Sequence, residues 1–157
     1  MKILVLGIGN LVMSDDGVGV RVVQHLQQTC RFPDEVTLLD GGTLGLDLLP
    51  QIGAAEKLLV VDAVETGAAP GTLVRLYGEE IPLALETKVS PHQMGLKDLL
   101  TVASLVGEAP EEMVLLGVQP ESIEMSMELT PAVAAQVEPL ANQVLQELEG
   151  WGVAALH

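Results

Sequence analysis

Apolar residues along this chain gather in five short runs, at 2–6, 35–39, 57–62, 72–77 and 113–118, each of strand length. Four of the runs are rich in Val, Leu or Ile at consecutive positions. Both faces of those strands are therefore expected to be covered, as in a sheet flanked by helices on both sides. Between the runs the spacing turns helical. Val18, Val22, Val23 and Leu26 form an apolar stripe that predicts a helix from about Asp16 to Thr29. A shorter helix is expected over about 44–52. Ser90-Pro91-His92-Gln93 combines a serine cap, a proline at the first helical position and a glutamine at the capping-box position. That signature predicts a helix running to about Val106, ahead of Gly107. Thr130-Pro131 repeats the start signal and predicts a last helix to about Glu149, with Gly150 as its stop.

Alternating strands and helices imply a mostly parallel sheet. One connection does not fit that rule, because Ala63 to Gly71 holds no helix. A parallel return needs a crossover of about a dozen residues or more. The fourth strand is therefore expected to run antiparallel to its neighbour. With no repeat, low-complexity tract or linker in view, residues 1–157 read as one α/β domain. The segment after Gly150 is expected to be loosely held.

Composition narrows the function classes. A hydrophobic content of 48% with mean hydropathy +0.41 indicates a folded, well-buried chain. Aromatics make up only 2%, so the core must be aliphatic, and a stacking platform for bases is excluded. The 22 acidic and 7 basic residues give a formal charge of −15. Such a chain repels phosphate backbones, which excludes nucleic acid as the expected partner. Most of the surplus reads as a solvated surface, and part of it would favour a basic partner segment.

Cys30 is the single cysteine and cannot form an internal disulfide, which fits a reducing compartment. Lys2 followed by Ile3 to Met13 superficially resembles a signal peptide. Gly7, Gly9 and Asn10 interrupt it, however, Asp15-Asp16 follows at once, and no small-residue cleavage site is seen. No run approaches the length of a membrane span. A cytoplasmic protein without membrane insertion is the expectation.

The chemistry concentrates at strand ends. Asp16 follows the first run and the turn Gly7-Ile8-Gly9-Asn10, Asp62 closes the third run, and His92 lies in the first turn of a predicted helix. In open α/β sheets, ligands gather beyond the carboxyl ends of strands, where the strand order reverses. Two carboxylates and one imidazole there suit a divalent, borderline transition metal better than calcium or magnesium. Each residue also has an ordinary reading. Asp15 and Asp16 could cap a helix and meet the positive end of its dipole, and for Asp15 capping is the better account. Asp16 alone fits capping as well as ligation, and its company with Asp62 and His92 decides for ligation. Asp62 by itself could bond a neighbouring loop, and a lone His92 could be an ordinary surface residue.

Other motifs are weaker. Gly7-x-Gly9 suggests a dinucleotide fingerprint, but the third glycine is replaced by Val12, and Asp15-Asp16 would repel a pyrophosphate. These glycines more plausibly serve a sharp turn and close packing beneath a site. Asp40-Gly41-Gly42-Thr43 allows close backbone approach to a ligand or an extended peptide. His25 and His157 are poorer ligand candidates. Cys30 has no histidine or basic cluster near it in sequence and reads as an inert thiol.

Several segments, in order, carry a family resemblance. They are Gly7-Ile8-Gly9-Asn10, Asp15-Asp16-Gly17-Val18-Gly19, Asp40-Gly41-Gly42-Thr43, Val61-Asp62-Ala63, Pro70-Gly71-Thr72, Ser90-Pro91-His92-Gln93 and Gly117-Val118-Gln119-Pro120-Glu121. With these the chain resembles the maturation endopeptidases of nickel-iron hydrogenases. The resemblance implies a three-layer α/β/α fold with a mixed five-stranded sheet, one strand antiparallel. It implies removal of a C-terminal extension from the nickel-loaded precursor of a hydrogenase large subunit. It carries the metal-contacting positions onto Asp16, Asp62 and His92, with nickel supplied by the precursor and held there by substrate thiolates. Where the family has Asp or Glu at the first position, this chain has the shorter Asp16. The ion would serve recognition and act as a Lewis acid or water activator. Gly41, Gly42 and Thr43 are the expected aligners of the extension. The general base stays open between Asp16 and Asp62, each when not coordinating. The alternative reading is a non-enzymatic nickel-binding assembly checkpoint. The oligomeric state also stays open, a monomer included.

Overall fold

The computed structural model describes residues 1–42, 48–81 and 91–157, with the side chains of 42 and 91–96 outside that description. Five strands form one sheet: β1 (Ile3–Ile8), β2 (Val36–Gly42), β3 (Lys57–Ala63), β4 (Leu73–Tyr77) and β5 (Glu112–Val118). Their spatial order is β2-β1-β3-β5-β4. β1 pairs in parallel with β2 and β3, β3 in parallel with β5, and β4 antiparallel with β5. The helix-less connection after β3 thus has the consequence expected of it: a short loop can only reverse the chain.

The strands alternate strictly between two aliphatic cores. Ile3, Val5, Leu59, Val61, Val114 and Leu116 face one core with α1 (Val18–Thr29) and the last helix, α5 (Val137–Gly150). Leu4, Leu6, Ile8, Leu58, Val60 and Leu115 face the other, with α2 (Leu49–Ala54) and α3 (Pro91–Leu105). Because both faces are covered, β1 is buried at every position. This is the three-layer α/β/α arrangement with one antiparallel strand.

Four details differ from the sequence reading. A 3-10 turn (Ser14–Gly17) precedes α1, so Asp16 lies in that turn and not within the α-helix. The last helical region is broken: a short α4 (Pro131–Ala134) precedes α5, which continues through Gly150 before the chain turns at Trp151 and Gly152. The segment after Gly150 is tied down. Val153 is buried, and Leu156 and Arg31 exchange backbone hydrogen bonds of 2.9 and 2.6 Å. The same contact brings His157 Nδ1 within 3.7 Å of Cys30 Sγ, a neighbour that spacing along the chain could not reveal. The Ser90 cap and the helix start near 44 lie outside the described residues.

Candidate functional site

The strand order reverses at β1, from which the chain passes first to β2 on one side and then to β3 on the other. The crevice beyond the carboxyl ends of β1 and β3 is therefore the expected ligand position. The turn carrying Asp16 and the end of β3 carrying Asp62 both lie there. Two glycines make this approach possible. A Cβ on Gly19 would overlap the Val61 carbonyl and sit 2.6 Å from that of Ile8, so α1 starts directly against the ends of β1 and β3. Gly9 has φ +138°, and a side chain there would overlap the Asp16 carbonyl. The Gly-x-Gly pattern is thus a packing device beneath the site, as the failed dinucleotide fingerprint suggested.

Asp16 is 6% exposed, and its Oδ2 accepts a 3.1 Å hydrogen bond from the Asn10 N–H. Asp62 is fully buried, and its Oδ1 accepts a 2.8 Å bond from the Ala63 N–H. Both carboxylates are thus oriented by backbone amides, which fixes the direction in which each presents its oxygens. By strand alternation Asp62 shares the face of Leu58 and Val60, the face on which α3 packs. α3 leads from its last residue, Leu105, into the start of β5. Its 15 residues span about 22 Å at 1.5 Å per residue. Its first turn, with His92, therefore belongs to the end of the sheet where Asp62 lies. The side chain of His92 is outside the described residues. Among those residues no group of three acidic, histidine or cysteine side chains forms a metal-holding cluster.

Asp15 behaves differently from a helix cap. No side chain caps the 3-10 turn or α1. Fully buried, Asp15 instead holds the distant segment that follows β5. Its Oδ2 accepts bonds from Glu121 N–H (2.9 Å), Ser122 N–H (3.1 Å) and the Thr130 hydroxyl (2.8 Å), and its Oδ1 accepts from Thr130 N–H (2.8 Å). The Thr130 hydroxyl is thereby engaged with Asp15 instead of with its own helix. Gln119 is the second brace. Its Oε1 accepts from Thr66 N–H (2.7 Å) and the Thr66 hydroxyl (3.0 Å), and its Nε2 donates to Glu65 Oε2 (3.0 Å). Residues 119–122 thus tie the Asp16 turn to the loop that follows Asp62. Gln119 drew no role from sequence, since nothing local marks a glutamine that braces Thr66 and Glu65 from more than fifty positions away.

Ser14 adds a local constraint. It has φ 55°, the sole positive value at a non-glycine among the described residues. Bonds from its N–H to Ser126 O (2.9 Å) and from its Oγ to Glu128 O (3.0 Å) hold it there, two residues from Asp16.

Gly41 is the extra residue of a bulge, since Gly7 pairs with Asp40 and Ile8 with Gly42. It lies at the end of β2, an edge strand. Thr43 lies outside the described residues. Cys30 follows α1 at the end opposite Asp16, about 18 Å away along a 12-residue helix, and so stands apart from the site.

Comparison with known proteins agrees with this architecture. A family model described as hydrogenase maturation protease matches residues 20–147, a stretch that includes Asp62 and His92 and begins just after Asp16. The chain is 45% identical over 157 residues to the hydrogenase 2 maturation protease of Escherichia coli (strain K12), covering 99% of this chain and 96% of that one. It is 44% identical to the HupD hydrogenase expression/formation protein of Rhodobacter capsulatus, over 97% of this chain and 73% of the relative. The solved structure of the hydrogenase maturating endopeptidase HybD from E. coli superposes with a TM-score of 0.96 at 44% identity, covering 99% and 97% of the two chains. A [NiFe] hydrogenase maturation protease HybD from Thermococcus kodakarensis gives 0.76 at 28% identity, over 94% and 99%. The chain belongs to the hydrogenase maturation protease family.

Proposed function

We propose that this protein is the endopeptidase that removes the C-terminal extension of a nickel-iron hydrogenase large-subunit precursor, and that it acts on the nickel-loaded form. The observation that carries the reading is the near full-length match to a hydrogenase 2 maturation protease. The buried, amide-oriented carboxylates of Asp16 and Asp62 at the switch point support it. Nickel belongs to the substrate in this account. Asp16, Asp62 and His92 offer two oxygen donors and one nitrogen donor, a set that suits a borderline ion but is not notably soft. The thiolates come from the precursor, because Cys30 stands at the far end of α1. An ion so shared marks the precursor as mature enough to cut, and it can polarise the scissile carbonyl or activate water.

The extension lies along the end of β2. An edge strand offers backbone N–H and C=O groups to an extended peptide, and glycines at 41 and 42 let it approach closely. Gly41, Gly42 and Thr43 are accordingly the aligning segment. Matched apo and nickel-loaded precursors, incubated with the protein and followed by mass, test the reading. Release of the extension from the nickel-loaded form alone is expected, and His92→Ala should abolish it while keeping the fold. Equal cleavage of both forms would sink nickel recognition. Tight binding of loaded precursor with no change in mass would indicate a checkpoint in place of a peptidase.

A further inference from the structure

The segment after β5 presents an unusual surface beside the site. Val12, Ile123, Met125 and Met127 are 42%, 42%, 83% and 60% exposed, four of nine exposed large hydrophobics among the described residues. Ile123, Met125 and Met127 alternate with Glu124, Ser126 and Glu128, and Glu121, Glu124 and Glu128 are exposed as well. An exposed apolar loop is ordinarily held loosely, but this one is fixed from both sides. Ser126 N–H donates to Val12 O (2.9 Å), Ser14 N–H to Ser126 O (2.9 Å), and the Arg21 guanidinium to Met127 O (2.6 Å). Met13 pairs with Ser126 as an isolated parallel bridge, three residues before Asp16. The buried Asp15 carboxylate clamps both ends of the segment, at Glu121-Ser122 and at Thr130. Four main-chain and side-chain anchors thus hold apolar side chains out in water. Exposed apolar side chains gathered in one anchored segment and the turn bonded to it are what interaction sites present, and methionine suits an adaptable contact.

We infer that Val12, Ile123, Met125 and Met127, with Glu121, Glu124 and Glu128 around them, form a docking surface for an apolar, basic segment of the precursor's folded body. The inference rests on the proposed precursor as substrate and adds where that precursor is gripped. Continuity with the site chooses the occupant, because the loop is hydrogen-bonded to the Asp16 turn itself. A precursor engaged at Asp16 must pass close to it. Charge chooses the chemistry. Three exposed glutamates on a chain of formal charge −15 disfavour an acidic partner and attract a basic one. Preorganising the loop removes part of the ordering cost of binding, which gives the Asp15 clamp a purpose beyond stability.

The test compares the whole protein with Ile123→Ser/Met125→Ser/Met127→Ser, using nickel-loaded precursor, calorimetric binding and initial rates of extension release. Exposed side chains threaten the fold little, and Leu105→Ser/Val106→Ser, equally exposed elsewhere, serves as control. About tenfold weaker binding and a matching rise in KM, with kcat held and the control unchanged, is the expected result. Wild-type binding should weaken above about 0.15 M salt, and less so in Glu124→Gln/Glu128→Gln. Unchanged affinity in the triple variant, or lost kcat at constant KM, overturns the docking surface. Salt-independent binding overturns the basic partner. Sedimentation showing a wild-type dimer that the triple variant dissolves would assign the patch to a second copy and overturn the proposal. Wild-type binding without cleavage refutes the endopeptidase reading while leaving this surface standing.

Discussion

Asp15 should be worth more to the fold than to the chemistry, although it adjoins Asp16. Its carboxylate is fully buried and accepts four hydrogen bonds, from the Glu121, Ser122 and Thr130 amides and the Thr130 hydroxyl, across about 2.8–3.1 Å. Hydrogen bonds to a charged acceptor contribute about 1.5–3 kcal/mol each, and donors left unpaired add a desolvation cost. The four are not additive, and water can reach Glu121 once the clamp is gone. Asp15→Ala should therefore cost about 3–5 kcal/mol, a large part of the ~5–15 kcal/mol typical of a domain. At about 2–4 °C per kcal/mol for a chain of this size, Tm should fall by about 6–20 °C. Urea unfolding followed by the fluorescence of the single Trp151 measures it directly. Adding Thr130→Val to the Asp15→Ala background should cost much less than the same change in wild type, because the pair acts as one unit. A loss below about 1 kcal/mol with unchanged m would refute the clamp.

Three further outcomes follow from contacts already described. Gly19→Ala drives a methyl group into the Val61 carbonyl and should cost about 3 kcal/mol or more, seen as a lowered urea midpoint; a neutral result would contradict the close seating of α1. The Glu112 carboxyl is held below the ordinary carboxylate range by its contact with Lys57 at 3.2 Å and by the Trp151 N–H at 2.7 Å. A lowered folded value means that its stabilisation is present above the ordinary range and is lost as pH falls through the lowered one. Glu112→Gln should flatten that part of the acid unfolding curve, and an unchanged curve would count against the linkage. Cys30→Ser should keep precursor processing intact despite the nearby His157, with stability within about 1 kcal/mol of wild type; complete loss of processing in a folded variant would place the thiol in the reaction.

The five strands and the reversal of β4 are local information. The consecutive aliphatic residues Leu58, Leu59, Val60 and Val61 have no outward polar face to offer solvent, and a nine-residue connection without a helix cannot return a parallel strand. Asp62 stood out because it closes a strand run and Asp16 because it follows one across a glycine turn, both on the side where a sheet's ligand crevice opens. Tertiary structure alone decided what long-range partners decide. Asp15 and Asp16 are neighbours of the same type in one turn, yet Asp15 is consumed by residues 121, 122 and 130, more than a hundred positions away. No local pattern distinguishes a clamp from a cap, since both are carboxylates accepting backbone amides. Gln119 and the Cys30–His157 approach were illegible for the same reason. The exposed Ile123, Met125 and Met127 could have been core residues by composition. Only the packed fold, with its aliphatic layers filled by other side chains, leaves them facing water beside Asp16.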